Sequence, residues 1–426
     1  GGYDTTPVWS PDGSRICWVS MERDGYEADR QRLMVAEIDG MRVRAIRELS
    51  DGFKYNVAGP AWDDDSGHIW FNALAEGLQA VYVTDLEGNV ERKTDESLWY
   101  DFTTPFFIDR TDGREVLYTT WQSMDFPTEI VAFDTGTQTG TRVTDENGHI
   151  LSQLKEHRTE ARTVKTVDGR DMLTWVLFPP EFDPSKKWPA IEICLGGPQG
   201  TLSQGWSYRW NYRLMCSQGY VVILPNRRGT TAFGQEWCEQ ISGDYCGLNI
   251  QDYLSAAREF KAEPYIGKMA ACGASYGGYS VYYLCGVHGN VYDAFVAHAG
   301  IFNQEHMYMT TEEMWFPTWD NGGAPWDNNP TAVRHYANSP HKLIRNWHTP
   351  LLVIHGGSDF RVPYDQGMAA YNCAQMMGVP SELIVFPDEN HWILKPQNAV
   401  FWHRSYFSWL NRWLADEDRG KTETVK

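Results

Sequence analysis

The sequence predicts two domains of different material: an all-β part over residues 1–155, and over residues 156–426 an α/β part whose mostly parallel sheet has flanking helices. Three observations predict this. At 426 residues with 42% hydrophobic content, the chain exceeds one comfortable core. Short strand-like runs with an aromatic and a turn recur along the first third. Beyond it, strand-like apolar runs alternate with helical ones.

In the first third, Pro7-Val8-Trp9-Ser10-Pro11-Asp12-Gly13 is echoed by Pro60-Ala61-Trp62-Asp63-Asp64-Asp65-Ser66-Gly67 and by Pro105-Phe106-Phe107-Ile108-Asp109-Arg110-Thr111-Asp112-Gly113. The leading prolines are 53 and 45 residues apart. Each echo runs into a strand-like stretch: Ile16–Val19, Ile69–Phe71 and Val116–Tyr118. Asp-Gly turns between such runs signal hairpins, and this period suggests about three propeller blades. A closed ring needs about four to eight, so the reading is an incomplete β-propeller whose N-terminal blades lie in a longer protein. A small independent β-sheet domain is the alternative.

From about residue 156, strands are expected at Ala161–Val167, Met172–Phe178, Ala190–Leu195, Tyr220–Leu224, Ala294–His298, Leu351–Ile354 and Leu383–Phe386. Helices are expected at Ile250–Phe260 and Ala399–Leu414. Between them, Gly273-Ala274-Ser275-Tyr276-Gly277-Gly278 fits G-x-S-x-G, with the buried-strand run Met269–Cys272 before it and an apolar helix, Tyr279–Val287, after it. An α/β-hydrolase holds its nucleophile on such a strand-to-helix turn, where only glycine fits two residues to either side of the serine.

A serine hydroxyl needs a base to take its proton and an acid to orient that base. In α/β-hydrolases the chain order is Ser, Asp/Glu, His. Leu351–Ile354 leads to His355-Gly356-Gly357-Ser358-Asp359, and the run ending Phe386-Pro387 leads to Asp388-Glu389-Asn390-His391. Asp359 is therefore the candidate acid and His391 the candidate base, each at a strand's carboxyl end. Asp365, Asp388 and Glu389 are rival acids, and His355 is the rival base. No ligand spacing such as H-E-x-x-H supports a metal, and nothing calls for a cofactor.

Taken in order, Leu195-Gly196-Gly197-Pro198-Gln199, Asn226-Arg227-Arg228-Gly229-Thr230, Gly273–Gly278 and His355-Gly356-Gly357-Ser358-Asp359-Phe360-Arg361-Val362-Pro363 resemble the prolyl oligopeptidase family of serine peptidases, in its dipeptidyl-peptidase V and acylaminoacyl-peptidase branch. The resemblance implies an α/β-hydrolase behind a propeller, with the backbone N–H groups of Gly197 and Tyr276 as oxyanion hole. Other branches place a tyrosine hydroxyl where this chain has Leu195, so the hole here is expected to be backbone only. It further implies that Arg361 holds a substrate carbonyl, with Val362, Trp315 and Phe316 lining an apolar pocket for the residue at the scissile bond. Arg361 as a plain ion-paired arginine and the two rings as core are the alternatives. Glu22, Asp24 and Glu27 are candidate anchors for a substrate amine, against an exposed acidic loop. Glu312-Glu313, in the hydrolase domain, is read as a cap or brace for the segment that follows it.

The activity this implies is release of dipeptides from the N-termini of oligopeptides through an acyl-enzyme. The alternatives are an acylaminoacyl-peptidase acting on blocked peptides, an esterase on the same fold, and a non-catalytic propeller binding module. The net charge of −19, with no basic cluster, argues against a nucleic-acid partner. No apolar run of about 18 residues predicts a membrane span. A homodimer stays open, as does the choice between bacterial periplasm and cytoplasm. The eight cysteines show no C-x-x-C pair; Cys194 and Cys272, in apolar strand-like runs, read as buried thiols, and Cys238 with Cys246 is the one pair that spacing leaves open.

Overall fold

The computed structural model describes residues 1–415; the segment 416–426, assigned above to the α/β domain, lies outside the described residues. Contacts divide the chain into two compact units.

The first unit holds residues 1–155 together with 201–208 and 230–239. It contains three antiparallel sheets. Strands β1 (Asp4–Trp9), β2 (Arg15–Ser20), β3 (Arg32–Asp39) and β4 (Arg42–Glu48) form the first, in chain order. The second runs β5 (Ala58–Trp62), β6 (His68–Ala75), β7 (Leu78–Asp85) and β8 (Val90–Arg92). The third runs β10 (Phe107–Asp109), β11 (Val116–Ser123), β12 (Phe126–Asp134) and β13 (Thr139–Arg142), with the short β9 (Asp101–Phe102) beside β11.

Period-two burial produces these sheets. In β11, Leu117, Thr119, Trp121 and Ser123 are buried while their neighbours are only partly so. The turns carry their own chemistry: Asp12 accepts from the Ser14 amide at 2.9 Å and from Ser10 Oγ at 2.7 Å. One apolar cluster joins Cys17, Leu33 and Val35 of the first sheet to Ile69 and Phe71 of the second. Another joins Trp70 and Val81 to Leu117, Val131 and Phe133 of the third. The sheets thus pack face to face in succession, as blades do, and stop short of the number that closes a ring.

Two later segments complete this unit. Ser203 Oγ donates to Asp101 Oδ2 at 2.5 Å, and the Trp206 amide donates to Gln122 Oε1 at 3.1 Å. Gln235 Nε2 donates to the Ala28 carbonyl at 3.0 Å.

The second unit is built on β14 (Arg158–Lys165), β15 (Asp171–Phe178), β16 (Trp188–Cys194), β17 (Val221–Pro225), β18 (Ile266–Ala274), β19 (Ala294–His298), β20 (Leu351–Gly356) and β21 (Ser381–Phe386). Their order is β14-β15-β17-β16-β18-β19-β20-β21. The first two pairs in that order, β14 with β15 and β15 with β17, are antiparallel, and every later pair is parallel. β17, β19 and β20 are buried along their whole length, as a sheet covered on both faces requires. Helices Leu248–Lys261, Tyr276–Val287, Asp365–Met376 and Pro396–Leu414 follow β17, β18, β20 and β21. The helix after β18 begins three residues before the expected Tyr279, because the turn passes directly into it. No helix among the described residues is long and apolar enough to cross a membrane. Cys238 and Cys246 are both free thiols, so the pairing that spacing left open is not made.

Candidate active site

The consecutive sheet neighbours β18, β19, β20 and β21 end at one edge, and each delivers a polar residue there: Ser275, His298, Asp359 and His391. Ser275 sits between β18 and its helix at φ 60°, ψ −124°, a strained conformation costing about 1–3 kcal/mol. The tight turn explains the flanking glycines. A Cβ on Gly273 would lie 2.4 Å from the Gly277 carbonyl oxygen, and one on Gly277 would lie 2.1 Å from the Cys194 carbonyl oxygen. Held this way, Ser275 is partly exposed while Tyr276 and Gly277 beside it are buried.

Asp359 is 2% exposed. Its Oδ1 accepts from the Arg361 and Val362 amides at 3.0 and 2.9 Å, and its Oδ2 accepts from His391 Nδ1 at 2.7 Å. Burial alone would raise the Asp359 pKa; hydrogen bonds from His355 and His391, with their positive charge when protonated, overcome it and hold the carboxyl well below the usual range. His391 is thereby oriented through Nδ1, leaving Nε2 for chemistry.

The rivals are otherwise engaged. His355 is fully buried, donates from Nε2 to the Val362 carbonyl at 2.7 Å, and leaves Gly367 no room for a Cβ, which would fall 2.6 Å from its Nδ1. Glu389 accepts from the Leu394 and Lys395 amides at 3.1 and 2.9 Å and so shapes the loop carrying His391. Asp388 pairs with Lys395 at 2.6 Å, and Asp365 lies 3.5 Å from His306.

His298, which sequence reasoning passed over, links the parts. Its carbonyl accepts from the Ser275 amide at 3.0 Å, its Nδ1 accepts from Trp402 Nε1 at 3.1 Å, and its imidazole hydrogen-bonds the backbone of His391. Burial, aided by the His355 and His391 imidazoles, pushes its pKa down to about 3, so it stays neutral. No hydrogen bond joins Ser275 Oγ to His391 among the described residues; such contacts commonly tighten only with substrate bound.

Gly197, at φ 123°, lines a pocket with Ser275 and Tyr276, whose free space is about 480 Å³ with open solvent included. A Cβ there would lie 2.6 Å from Gln199 backbone atoms. Tyr276 opens its helix, where backbone N–H groups have no intrahelical acceptor. Its ring is core: the hydroxyl donates to the Tyr245 carbonyl at 2.8 Å, and the Arg227 guanidinium lies 5.1 Å from the ring centre. Val362 and Phe316 line the same pocket, whereas Trp315 is 56% exposed and stands outside its lining. Arg361 lies across Trp392 at 5.7 Å and is ion-paired with Glu312 at 3.1 Å and Glu313 at 3.2 Å. That acidic pair thus braces a residue far along the chain, and Glu313 also lines the pocket.

In the first unit, Glu22 is 79% exposed at its side chain and 3.7 Å from Arg32. Its loop is organised by buried Asp29, which accepts from the Glu22 and Arg23 amides at 2.9 and 2.7 Å. A lone aspartate in an acidic loop gave no signal of that role.

Residues 206–417, which carry Ser275, Asp359 and His391, match the model of the prolyl oligopeptidase family. The chain belongs to the prolyl oligopeptidase family. Among curated proteins it is 49% identical over 419 residues to dipeptidyl-peptidase 5 of Porphyromonas gingivalis, covering 97% of this chain and 60% of that one. It is 29% identical over 428 residues to dipeptidyl-peptidase 5 of Schizosaccharomyces pombe, covering 99% and 61%. The chain therefore spans about three fifths of these relatives' length. Its fold matches that of Pyrococcus horikoshii acylaminoacyl peptidase at TM-score 0.79 and 23% identity, over 96% of this chain and 63% of the other. Porphyromonas gingivalis dipeptidyl peptidase 4 matches at TM-score 0.74 and 20% identity, over 97% and 57%. In prolyl oligopeptidase family terms, the first unit supplies blade-like sheets and the second the α/β-hydrolase.

Proposed function

We propose that the protein is a serine exopeptidase releasing dipeptides from the N-termini of oligopeptides, with the three sheets serving as propeller blades. The observation that carries this reading is the 2.7 Å bond between His391 and buried Asp359, at the sheet edge where Ser275 stands on a strained turn.

Ser275 Oγ attacks the scissile carbonyl carbon as His391 Nε2 takes its proton, and Asp359 stabilises the imidazolium. The Gly197 and Tyr276 amides receive the oxyanion, each worth about 3 kcal/mol in the transition state. Collapse breaks the C–N bond, and His391 returns the proton to the departing amine. Water then repeats the sequence and frees the dipeptide from Ser275.

Two glutamates against one guanidinium leave a net negative charge at Arg361, beside the Ser275 pocket. That charge suits the free ammonium of a peptide N-terminus better than a blocked one, and the relatives named dipeptidyl-peptidase 5 agree with it. The test is hydrolysis of chromogenic dipeptide substrates with free and acetylated N-termini. Faster turnover of the acetylated set overturns the free-amine reading.

A further inference from the structure

The two amides proposed to receive the oxyanion, those of Gly197 and Tyr276, belong to different elements: a loop after β16 and the first turn of the helix after β18. Both reach one oxygen atom only if the loop is held to the helix. Close backbone approach does part of this. A Cβ on Gly196 would lie 2.9 Å from the Ala274 carbonyl oxygen, and one on Gly277 would lie 3.2 Å from the Leu195 carbonyl carbon. At the far end of the loop, Gln199 Nε2 donates to Asp320 at 3.0 Å and to Ser242 at 3.1 Å.

A guanidinium holds the near end. Arg227, just past β17, is wholly buried. Its Nη2 donates to the Leu195 carbonyl at 3.1 Å and its Nε to the Tyr253 hydroxyl at 3.0 Å. That same hydroxyl accepts from the Leu195 amide at 2.8 Å, so both backbone polar groups of Leu195 are pinned, one directly and one through Tyr253. Nη1 donates to the Arg228 carbonyl at 2.8 Å, and a Cβ on Gly229 would fall 2.4 Å from it, so the turn after β17 is shaped around this side chain. The guanidinium also lies over the Tyr276 ring, 5.1 Å from its centre. Arg228 beside it has a different part, ion-paired with Asp252 at 3.1 Å. Burying a full charge is costly, and a planar fork of donors that also stacks on an aromatic face suits this combination of partners as an ammonium does not.

We propose that Arg227 is a positioning residue for the oxyanion hole: by spanning Leu195 and Tyr276 it fixes the Gly197 amide relative to the Tyr276 amide. The proposal rests on the reading of Ser275 as nucleophile with those two amides as its oxyanion hole. A misplacement of about 1 Å in such a constellation costs about 10²-fold in rate.

The experiment compares the full-length parent with Arg227→Met, Arg227→Lys and Tyr253→Phe. It reads kcat and KM for a free-amine chromogenic dipeptide, the Ki of a dipeptide aldehyde and the Ki of the matching free dipeptide. Ser275 Oγ adds to the aldehyde carbon, its proton passing to His391 Nε2 and the carbonyl π pair to oxygen, which then sits where the oxyanion would; the free dipeptide forms no such bond. In Arg227→Met, kcat and aldehyde affinity are expected to fall together by about 10²-fold, with KM and the dipeptide Ki within about twofold of the parent. Arg227→Lys keeps the charge without the fork and recovers little of this. Tyr253→Phe takes away only the shared hydroxyl; it should lose about tenfold in the same two readouts, and it decides the matter if Arg227→Met does not fold. Unchanged kcat and aldehyde affinity in the folded variants overturn the proposal. So does an equal loss for aldehyde and dipeptide, which marks a general loosening of the site, and so does full recovery in Arg227→Lys. A small fluorophosphonate keeps the two readings apart: its labelling of Ser275 in the parent, read by intact mass, upholds the nucleophile whatever the variants do, and its failure to label removes the nucleophile and this proposal together.

Discussion

Ser275 and His298 are joined through the backbone at 3.0 Å, and the His298 ring in turn bonds the backbone of His391. One neutral histidine at the end of β19 therefore fixes both the turn under the hydroxyl and the loop under the imidazole. His298→Leu leaves the Trp402 N–H without its acceptor and frees the His391 loop. The expected cost is about 1–3 kcal/mol of stability, with kcat reduced more than KM. Denaturant melts and steady-state kinetics on the variant check both.

Ser275→Ala should abolish peptide hydrolysis, by about 10⁴-fold or more, while the melting temperature stays close to that of the parent. Retained turnover in that variant would move the chemistry to another residue.

Gly197→Ala places a methyl against the Gln199 backbone and so moves the amide proposed to receive the oxyanion. A loss of about 10² to 10³ in kcat is expected, with substrate affinity changed much less. Pre-steady-state acylation rates measure it directly.

The Asp359 carboxyl is depressed in the folded protein below its unfolded value of about 4. Its contribution to stability is therefore complete above that unfolded value and is lost as pH falls through the folded one. Asp359→Asn should be less stable than the parent at neutral pH, and the gap should narrow on strong acidification. Activity at neutral pH should drop by about 10⁴-fold, because the amide no longer holds His391 in the useful tautomer. Paired denaturation curves from neutral to strongly acid pH test the sign; a gap that widens in acid contradicts it.

Glu313→Gln removes the net negative charge beside the pocket. For dipeptide substrates with a free amine, KM should rise about tenfold with kcat little changed, while acetylated substrates bind as well or better. Equal effects on both substrate sets would point to a bracing role through Arg361 alone.

Much of the proposed catalytic edge is legible in the sequence because its physics is local. Gly273 and Gly277 are forced by close backbone approach, and Asp359 and His391 each follow an apolar strand. His298 carries no such mark, since its role depends on β19 lying between β18 and β20 in the sheet. Glu312 and Glu313 read as local braces because their partner, Arg361, is 49 positions from Glu312. Trp315 and Phe316 look equivalent as letters, yet one is mostly exposed and the other lines the pocket. The blade repeats are legible for the same reason as the elbow: Asp-Gly turns and alternating burial need only neighbouring residues.

Because residues 201–208 and 230–239 complete the sheet-built unit from within the hydrolase half of the polypeptide, no single cut separates the two. A gene fragment starting at residue 156 would carry two stretches whose partners, Asp101, Gln122 and Ala28, had been left behind. Anyone wishing to swap catalytic modules between relatives must transplant these insertions with the sheets, in three pieces rather than one.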